Sequence, residues 1–280
     1  MRVTFLGREI DHRPWVMSAP AGDVVPSFVP VGETLDGPAD VVVVLAPGEV
    51  DGAALKEATG DALTLAVVAD TGFAPGVEDV WTPDGALAEP PALPAGFDRV
   101  LCTDPLLARA AGAWRSAALP VDDARFADVV PASGDPRVVF HGADTEWRSF
   151  WLPELVEHYG LVHVAPGDPF DDAFAAASVG LCLREDRKRP QFPADALLHL
   201  AAGRLLLTEP LRPPRGLEPE LDHVEVREPV DALHVLHQVR RRPAAFEHVR
   251  IRARIRMELF RASVVWPRIL ADLKADVAAS

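Results

Sequence analysis

Cysteine is scarce: the 280 residues hold two, Cys102 and Cys182, each inside a run that reads as a buried strand. Two thiols so placed do not make a disulfide framework, which excludes a small secreted scaffold and makes the cytoplasm the expected location. No apolar run approaches the roughly 18–20 residues that cross a bilayer, so no membrane span is expected. The opening MRVTFLG lacks a signal-peptide layout and reads as a first strand. Positive charge is also short, with 28 Lys and Arg against 42 Asp and Glu, a net of −14. Residues 1–130 carry 8 basic and 20 acidic side chains, a net of −12, and residues 131–280 carry 20 and 22, a net of −2. An acidic body lacks the positive face that nucleic-acid binding needs to release counterions, so no nucleic-acid partner is expected.

Several chemistries lack their motifs. After the first strand, FLGREIDHRP has one glycine followed by bulky side chains, where a dinucleotide pyrophosphate requires close backbone approach; this argues against NAD and FAD. There is no Walker A loop, GxSxG elbow, HExxH or CxxC, which removes P-loop NTPases, α/β-hydrolases, zincins and thioredoxins. HVEV at 223–226 imitates the start of a deaminase motif without its cysteine pair. No Asp-x-Asp is present; the adjacent acids Asp122–Asp123 and Asp171–Asp172 have the wrong spacing and fall in loops. The expectation is no catalytic metal and no cofactor.

What is present is a β/α pattern. Apolar runs at 2–7, 26–31, 40–47, 63–70 and 99–104 alternate with helix-like stretches at 51–60 and 105–113. Runs that are continuously apolar indicate strands covered on both faces, hence a parallel sheet. AEPPALPAG at 88–96 reads as a loop. After the linker-like 119–136 the pattern restarts: strands at 137–142, 161–166, 178–183, 204–210 and 223–229, and helices near 146–158, 170–177 and 193–203. The tail reads as helices at 231–241, 243–262 and 265–277. The expected class is α/β, with two Rossmann-like domains facing a cleft. Their spans are 1–128 and 129–280, with the last helix crossing back onto the N-terminal domain because its apolar VVWPRIL needs a surface.

The order of segments carries a resemblance. VLCTDPLLARAAGAWRSAALPVDDARF gives a strand, a helix, a small strand, then Pro-x-Asp and an aromatic. VVFHGADTEWRSFWLPEL gives a strand, a Gly turn and an Arg opening a helix. RPQFPADALLHLAAGRLLLTEPLRPPRGLEPEL gives a helix–Gly–strand unit, and AAFEHVRIRARIRMELFRASVVWPRILADL closes the chain. From about residue 97 to 275 this order resembles the CgeB-like, spore-coat-type glycosyltransferases of the two-domain GT-B architecture. The resemblance implies a nucleotide-sugar donor held mainly by the C-terminal domain and an acceptor held mainly by the N-terminal one.

It also implies donor-site residues. Without a metal, a leaving nucleoside diphosphate needs cations and helix N-termini. Gly142 ends the first C-domain strand, with His141 beside it, and Arg148 matches the family's Arg at the following helix. Arg184, Arg187, Lys188 and Arg189 form the densest basic run, beyond a strand's C-terminal end. Gly203, Thr208 and Gly216 belong to backbone turns around the donor. Plainer roles stand beside these: a solvated basic loop, an Arg148 paired with Glu154 or Asp144, and a Trp147–Phe150–Trp151 cluster at helical spacing that only packs the core.

Many GT-B members use Glu-x7-Glu, the second glutamate gripping the ribose. Here that pair falls on Pro190 and Leu198. Losing a charged acceptor to ribose costs about 1.5–3 kcal/mol, one to two decades in affinity. Asp195, three residues before Leu198, and Glu209, after the strand RLLLT, are the expected replacements, although Asp195 in a first helical turn also simply complements the helix dipole. An acceptor base must be Asp, Glu or His from the N-terminal domain: Asp11, His12 and Asp70 are the candidates, with Glu9 in the same loop. The resulting expectation is a metal-independent glycosyltransferase acting on an acceptor hydroxyl. The alternatives are a non-catalytic GT-B-like binding protein and a nucleotide-sugar epimerase on the same scaffold.

Overall fold

A computed structural model describes residues 1–35, 37–69, 92–126, 134–185 and 192–280. The chain divides into two compact units, Met1–Ala124 together with Leu259–Ser280, and Arg125–Glu258.

In the N-terminal unit the strands are β1 (Arg2–Gly7), β2 (Val25–Pro30), β3 (Val41–Val44), β4 (Leu63–Val68), β5 (Arg99–Cys102) and β6 (Arg115–Ser116). They form one sheet in the order β2-β1-β3-β4-β5-β6, and every pair is parallel. The four valines of β3 are all buried, as a strand sandwiched between two helical layers requires. Helices α1 (Glu9–His12), α2 (Gly52–Thr59) and α3 (Pro105–Ala111) accompany the sheet. Asp51 starts α2 by accepting from the amides of Ala53 and Ala54 at 2.9 and 3.1 Å.

The C-terminal helix, Ala262–Ala278, belongs to this unit. Trp266 is fully buried, its ring lies 5.1 Å from that of Phe5, and its indole N–H donates to the Trp15 carbonyl at 2.9 Å. Of the four acids set aside as metal ligands, Asp171 and Asp172 open a helix, Asp171–Ala176, rather than lying in a loop, and Asp122 and Asp123 are structural anchors. Asp122 accepts from the Ser18 hydroxyl at 2.7 Å, and Asp123 accepts from the Ser263 amide and hydroxyl at 2.9 and 2.7 Å, capping the C-terminal helix from a distant segment.

The second unit contains β7 (Val138–His141), β8 (Val162–Val164), β9 (Val179–Cys182), β10 (Leu205–Thr208) and β11 (Val224–Glu225). They are parallel, in the order β11-β10-β9-β7-β8. Helices α4 (Glu146–Tyr159), α5 (Asp171–Ala176), α6 (Asp195–Ala201), α7 (Pro229–Arg241) and α8 (Glu247–Arg256) complete it. Thr145 caps α4 by accepting from the Arg148 amide at 3.2 Å. Phe140, Trp151, Leu155, Leu181, Leu205, Leu207 and Leu236 fill the core.

Two expectations are corrected here. The strand expected over 223–229 is only two residues long, because Pro229, lacking an N–H, opens α7 instead. The single helix expected over 243–262 is broken into 3-10 turns at Pro243–Phe246 and Met257–Phe260 around α8. Pro243 starts the first of these turns, and the last buried position at helical spacing, after Val249 and Ala253, is Met257.

Both sheets reverse their winding beside their first strand: β1 lies between β2 and β3, and β7 between β8 and β9. Loops leaving the C-terminal ends of strands at such a reversal form the usual binding crevice of an open α/β sheet.

Candidate functional site

In the second unit the crevice residues come from the ends of β7, β9 and β10 and the start of α4. Arg148 is buried, and its guanidinium donates from Nε to the Arg184 carbonyl (3.1 Å), from Nη1 to the Ala143 carbonyl (3.0 Å) and from Nη2 to the Leu183 carbonyl (3.0 Å). It therefore ties the loop after β7 to the loop after β9, and it lies over the Phe140 ring at 5.3 Å. Neither Glu154 nor Asp144 has the expected role of its partner; carbonyl oxygens take it. Gly142 makes room for this strut. Its φ is 151°, and a Cβ there would meet Arg148 Nη1 at 3.0 Å.

Arg184 is held differently. Glu209 is almost completely buried, and its Oε1 accepts from Arg184 Nε and Nη2 at 3.0 and 2.7 Å, while Oε2 accepts the Arg184 amide at 2.7 Å. Trp147 Nε1 adds contacts of 3.2 and 3.1 Å to the two oxygens. A carboxylate has about four lone-pair sites, so Glu209 is saturated by protein donors rather than open to ribose hydroxyls. Arg184 keeps 20% of its side chain exposed. It is a partly exposed cation held on a fixed, buried carboxylate.

His141, at the end of β7, is hydrogen-bonded to Asp195, the first residue of α6: Nδ1 and Oδ2 are 2.9 Å apart. Thr208 is buried, its hydroxyl donating to the Glu209 carbonyl at 2.9 Å. The structure thus brings His141, Gly142, Arg148, Arg184, Asp195, Thr208 and Glu209 to one edge of the sheet. It does not bring Gly203 there, for that residue precedes β10 at the opposite edge, where its carbonyl accepts from Arg250 at 3.0 Å. Gly216 lies in the loop beyond β10, its carbonyl accepting from Arg256 of α8. Arg187, Lys188, Arg189 and Pro190 lie outside the described residues, as does Asp70.

Leu198 is 2% exposed and the rest of α6 from Ala196 to Ala201 is buried with it, so the place of the usual glutamate is a core position. The aromatic cluster splits. Trp151 is fully buried, Trp147 is half-buried, and Phe150, 62% exposed, stacks on Trp147 at 5.8 Å instead of packing the core. Sequence reasoning missed Trp147 as a donor to Glu209, 62 positions away, and His163, whose Nε2 is 2.7 Å from the Gly142 carbonyl.

In the N-terminal unit the loop after β1 gathers a second polar group. Arg8 Nε donates to Glu49 at 2.7 Å, its Nη1 reaches Asp11 at 3.4 Å, and its amide donates to His12 Nδ1 at 2.9 Å. The hydrogen bond to Glu49 holds the Arg8 guanidinium firmly protonated. Burial lowers the His12 pKa, favouring the neutral ring. With Nδ1 accepting, that neutral ring carries its proton on Nε2 and offers a donor. Glu9 is turned to Arg13 at 3.7 Å. Arg8 itself was not singled out from the sequence, though it directly follows the strand-ending Gly7. Burial raises both thiols, Cys102 to about 11 and Cys182 well above its ordinary value, so neither is a ready nucleophile. Among the described residues no three His, Cys, Asp or Glu side chains converge as a metal site would, and no helix is long and apolar enough to cross a membrane.

No family model matches the chain, and no curated protein does. Solved structures do. HepE of Anabaena, in complex with UDP and glucose, is 10% identical over 98% of this chain and 100% of its own, with a TM-score of 0.54. AviGT4, a glycosyltransferase involved in avilamycin A biosynthesis, is 13% identical over 100% and 99%, with a TM-score of 0.56. Sucrose-phosphate synthase from Thermosynechococcus elongatus is 12% identical over 100% of both chains, with a TM-score of 0.56. At these identities the likeness is one of fold: two parallel-sheet, Rossmann-like units matching the GT-B glycosyltransferase structures.

Proposed function

We propose that this chain is a metal-independent glycosyltransferase of the CgeB-like kind, acting in the cytoplasm. It would pass a sugar from a nucleoside diphosphate to an acceptor hydroxyl. The observation that carries the reading is Arg184: a cation fixed by a buried carboxylate at the strand-end crevice of a GT-B fold, the fold of the HepE structures with UDP and with UDP-glucose.

The chemistry follows from charge. As the sugar–oxygen bond breaks, negative charge grows on the diphosphate, and a preorganised guanidinium stabilises it without reorganising. Arg184 is assigned that role, and Lys188, of the same basic run in the sequence, is a further candidate cation. Arg148 is assigned to positioning, since its donors hold the two loops together. Asp195 is assigned to the ribose through its second oxygen, and Gly142 to close backbone approach. Asp11 is the acceptor base, and His12 Nε2 a donor to the same hydroxyl.

Calorimetry with UDP, followed by assay of UDP release from UDP-glucose with and without EDTA, tests the reading. Binding that survives chelation and release that depends on an acceptor support it; sugar isomerisation without release would point to an epimerase. One observation favours the non-catalytic binding protein instead: the ribose grip is a buried leucine, and Glu209 is saturated. Nucleotide binding without any sugar release would establish that second reading.

A further inference from the structure

Beside the loop after β1, the N-terminal unit contains a cavity of about 530 Å³, within the range of small-molecule sites. Leu6, Val31, Leu35, Val50 and Leu55 supply its apolar wall. Leu6 and Leu55 are core residues, but Val31, Leu35 and Val50 are only half-buried, so the wall stays open to an occupant. Its charged lining is entirely acidic: Glu33, Glu49 and Asp51, with no basic side chain among the described residues that line it. Asp51 is occupied in capping α2 and Glu49 is ion-paired with Arg8, which leaves Glu33 to face a ligand. Glu49 accepts from Arg8, and Arg8 reaches Asp11, so one chain of contacts joins the cavity to the assigned base.

We propose that this cavity seats the apolar, non-anionic body of the hydroxyl-bearing acceptor. The inference rests on the glycosyltransferase reading above and names its acceptor class. Apolar area in the wall favours a hydrocarbon or aromatic body. A carboxylate or phosphate on that body would lie against Glu33, in a segment that already carries a net of −12 over residues 1–130. Glu33 and the negative field of the segment thus disfavour an anion, and a neutral or cationic head is preferred.

The probes are octanol, octylamine and octanoate, three molecules of equal chain length that differ in head group. Methyl resonances of Val31, Leu35, Val50 and Leu55 in the full chain should respond to octanol and octylamine, and to octanoate only at about tenfold higher concentration. Glu33→Gln should narrow that gap, and Val50→Glu should abolish the response of the other three residues. Equal response to octanoate, silence toward all three probes, or a response that persists in Val50→Glu would overturn the inference. UDP titrated into the same sample separates the two failures. UDP binding with a silent cavity sinks only the acceptor class, whereas no UDP binding at millimolar concentration sinks the donor reading and this inference with it.

Discussion

Glu209 grips Arg184 by both its side chain and its backbone: one carboxylate oxygen takes the guanidinium Nε and Nη2, and the other takes the Arg184 amide. The acid sits at the end of β10 and the arginine at the end of β9, so the pair also locks two neighbouring strand ends. Glu209→Ala would strand a partly buried guanidinium and an amide, at a cost of about 3 kcal/mol in unfolding free energy. Glu209→Gln, which keeps one acceptor oxygen, should lose less. Urea unfolding with an unchanged slope measures both; two variants as stable as the parent would show that water replaces the carboxylate.

Arg184 and Arg148 should separate by phenotype. Arg184→Ala removes the partly exposed cation and is expected to weaken UDP by about 1.5–3 kcal/mol. Because it leaves the buried Glu209 carboxylate without its partner, it also costs about 3 kcal/mol of stability. Arg148→Ala removes three bonds to carbonyls, so its main effect should be a lower melting temperature. UDP titration and thermal unfolding of the two variants decide it. The reverse pattern in UDP binding would make Arg148 the phosphate ligand and Arg184 the strut.

The periodicity of apolar residues carried most of the fold. Continuous runs such as Val41–Val44 and Leu205–Thr208 have one solution, a parallel strand covered on both faces, and both are such strands. Element ends were less legible, because Pro229 and Pro243 act locally within runs whose apolar spacing continues through them. The placement of the candidate residues was legible wherever position along a strand decides it, as for His141, Gly142 and Arg184 at strand ends. It was illegible wherever partners are distant in sequence. Nothing near Glu209 announces Trp147, and nothing near Leu198 announces that its helix is buried all round. Gly203 misled for the same reason, since a turn glycine looks alike at either edge of a sheet.

Leu198 provides a test of whether the missing glutamate can be restored. Its side chain is in the core, so Leu198→Glu would bury a carboxyl without a partner. The expected result is a loss of about 2–4 kcal/mol in stability and no gain in UDP affinity. Tighter UDP binding by this variant would mean that the position reaches the nucleoside after all.

Acid should destabilise the second unit through His199. Its ring is fully buried, stacked on Phe174 at 4.5 Å, and neither nitrogen has a hydrogen-bond partner. The ring fits only because Gly180 has no Cβ, which would run into it. Burial, reinforced by Arg204 and His141, holds its pKa well below the ordinary value, and burial lowers His223 in the same direction. A histidine with a depressed folded pKa contributes its full stability above the unfolded pKa of about 6.5. Below that pH the unfolded chain takes up a proton that the folded chain refuses, so stability falls by at most about 1.4 kcal/mol per pH unit for each such group. The loss stops only when the pH reaches the folded value. Urea midpoints between pH 7.5 and about 5 should therefore decline, and His199→Phe, a flat ring that does not titrate, should flatten part of the slope. A parent and variant with identical slopes would show that His199 is protonated in the folded protein or exchanges with water there.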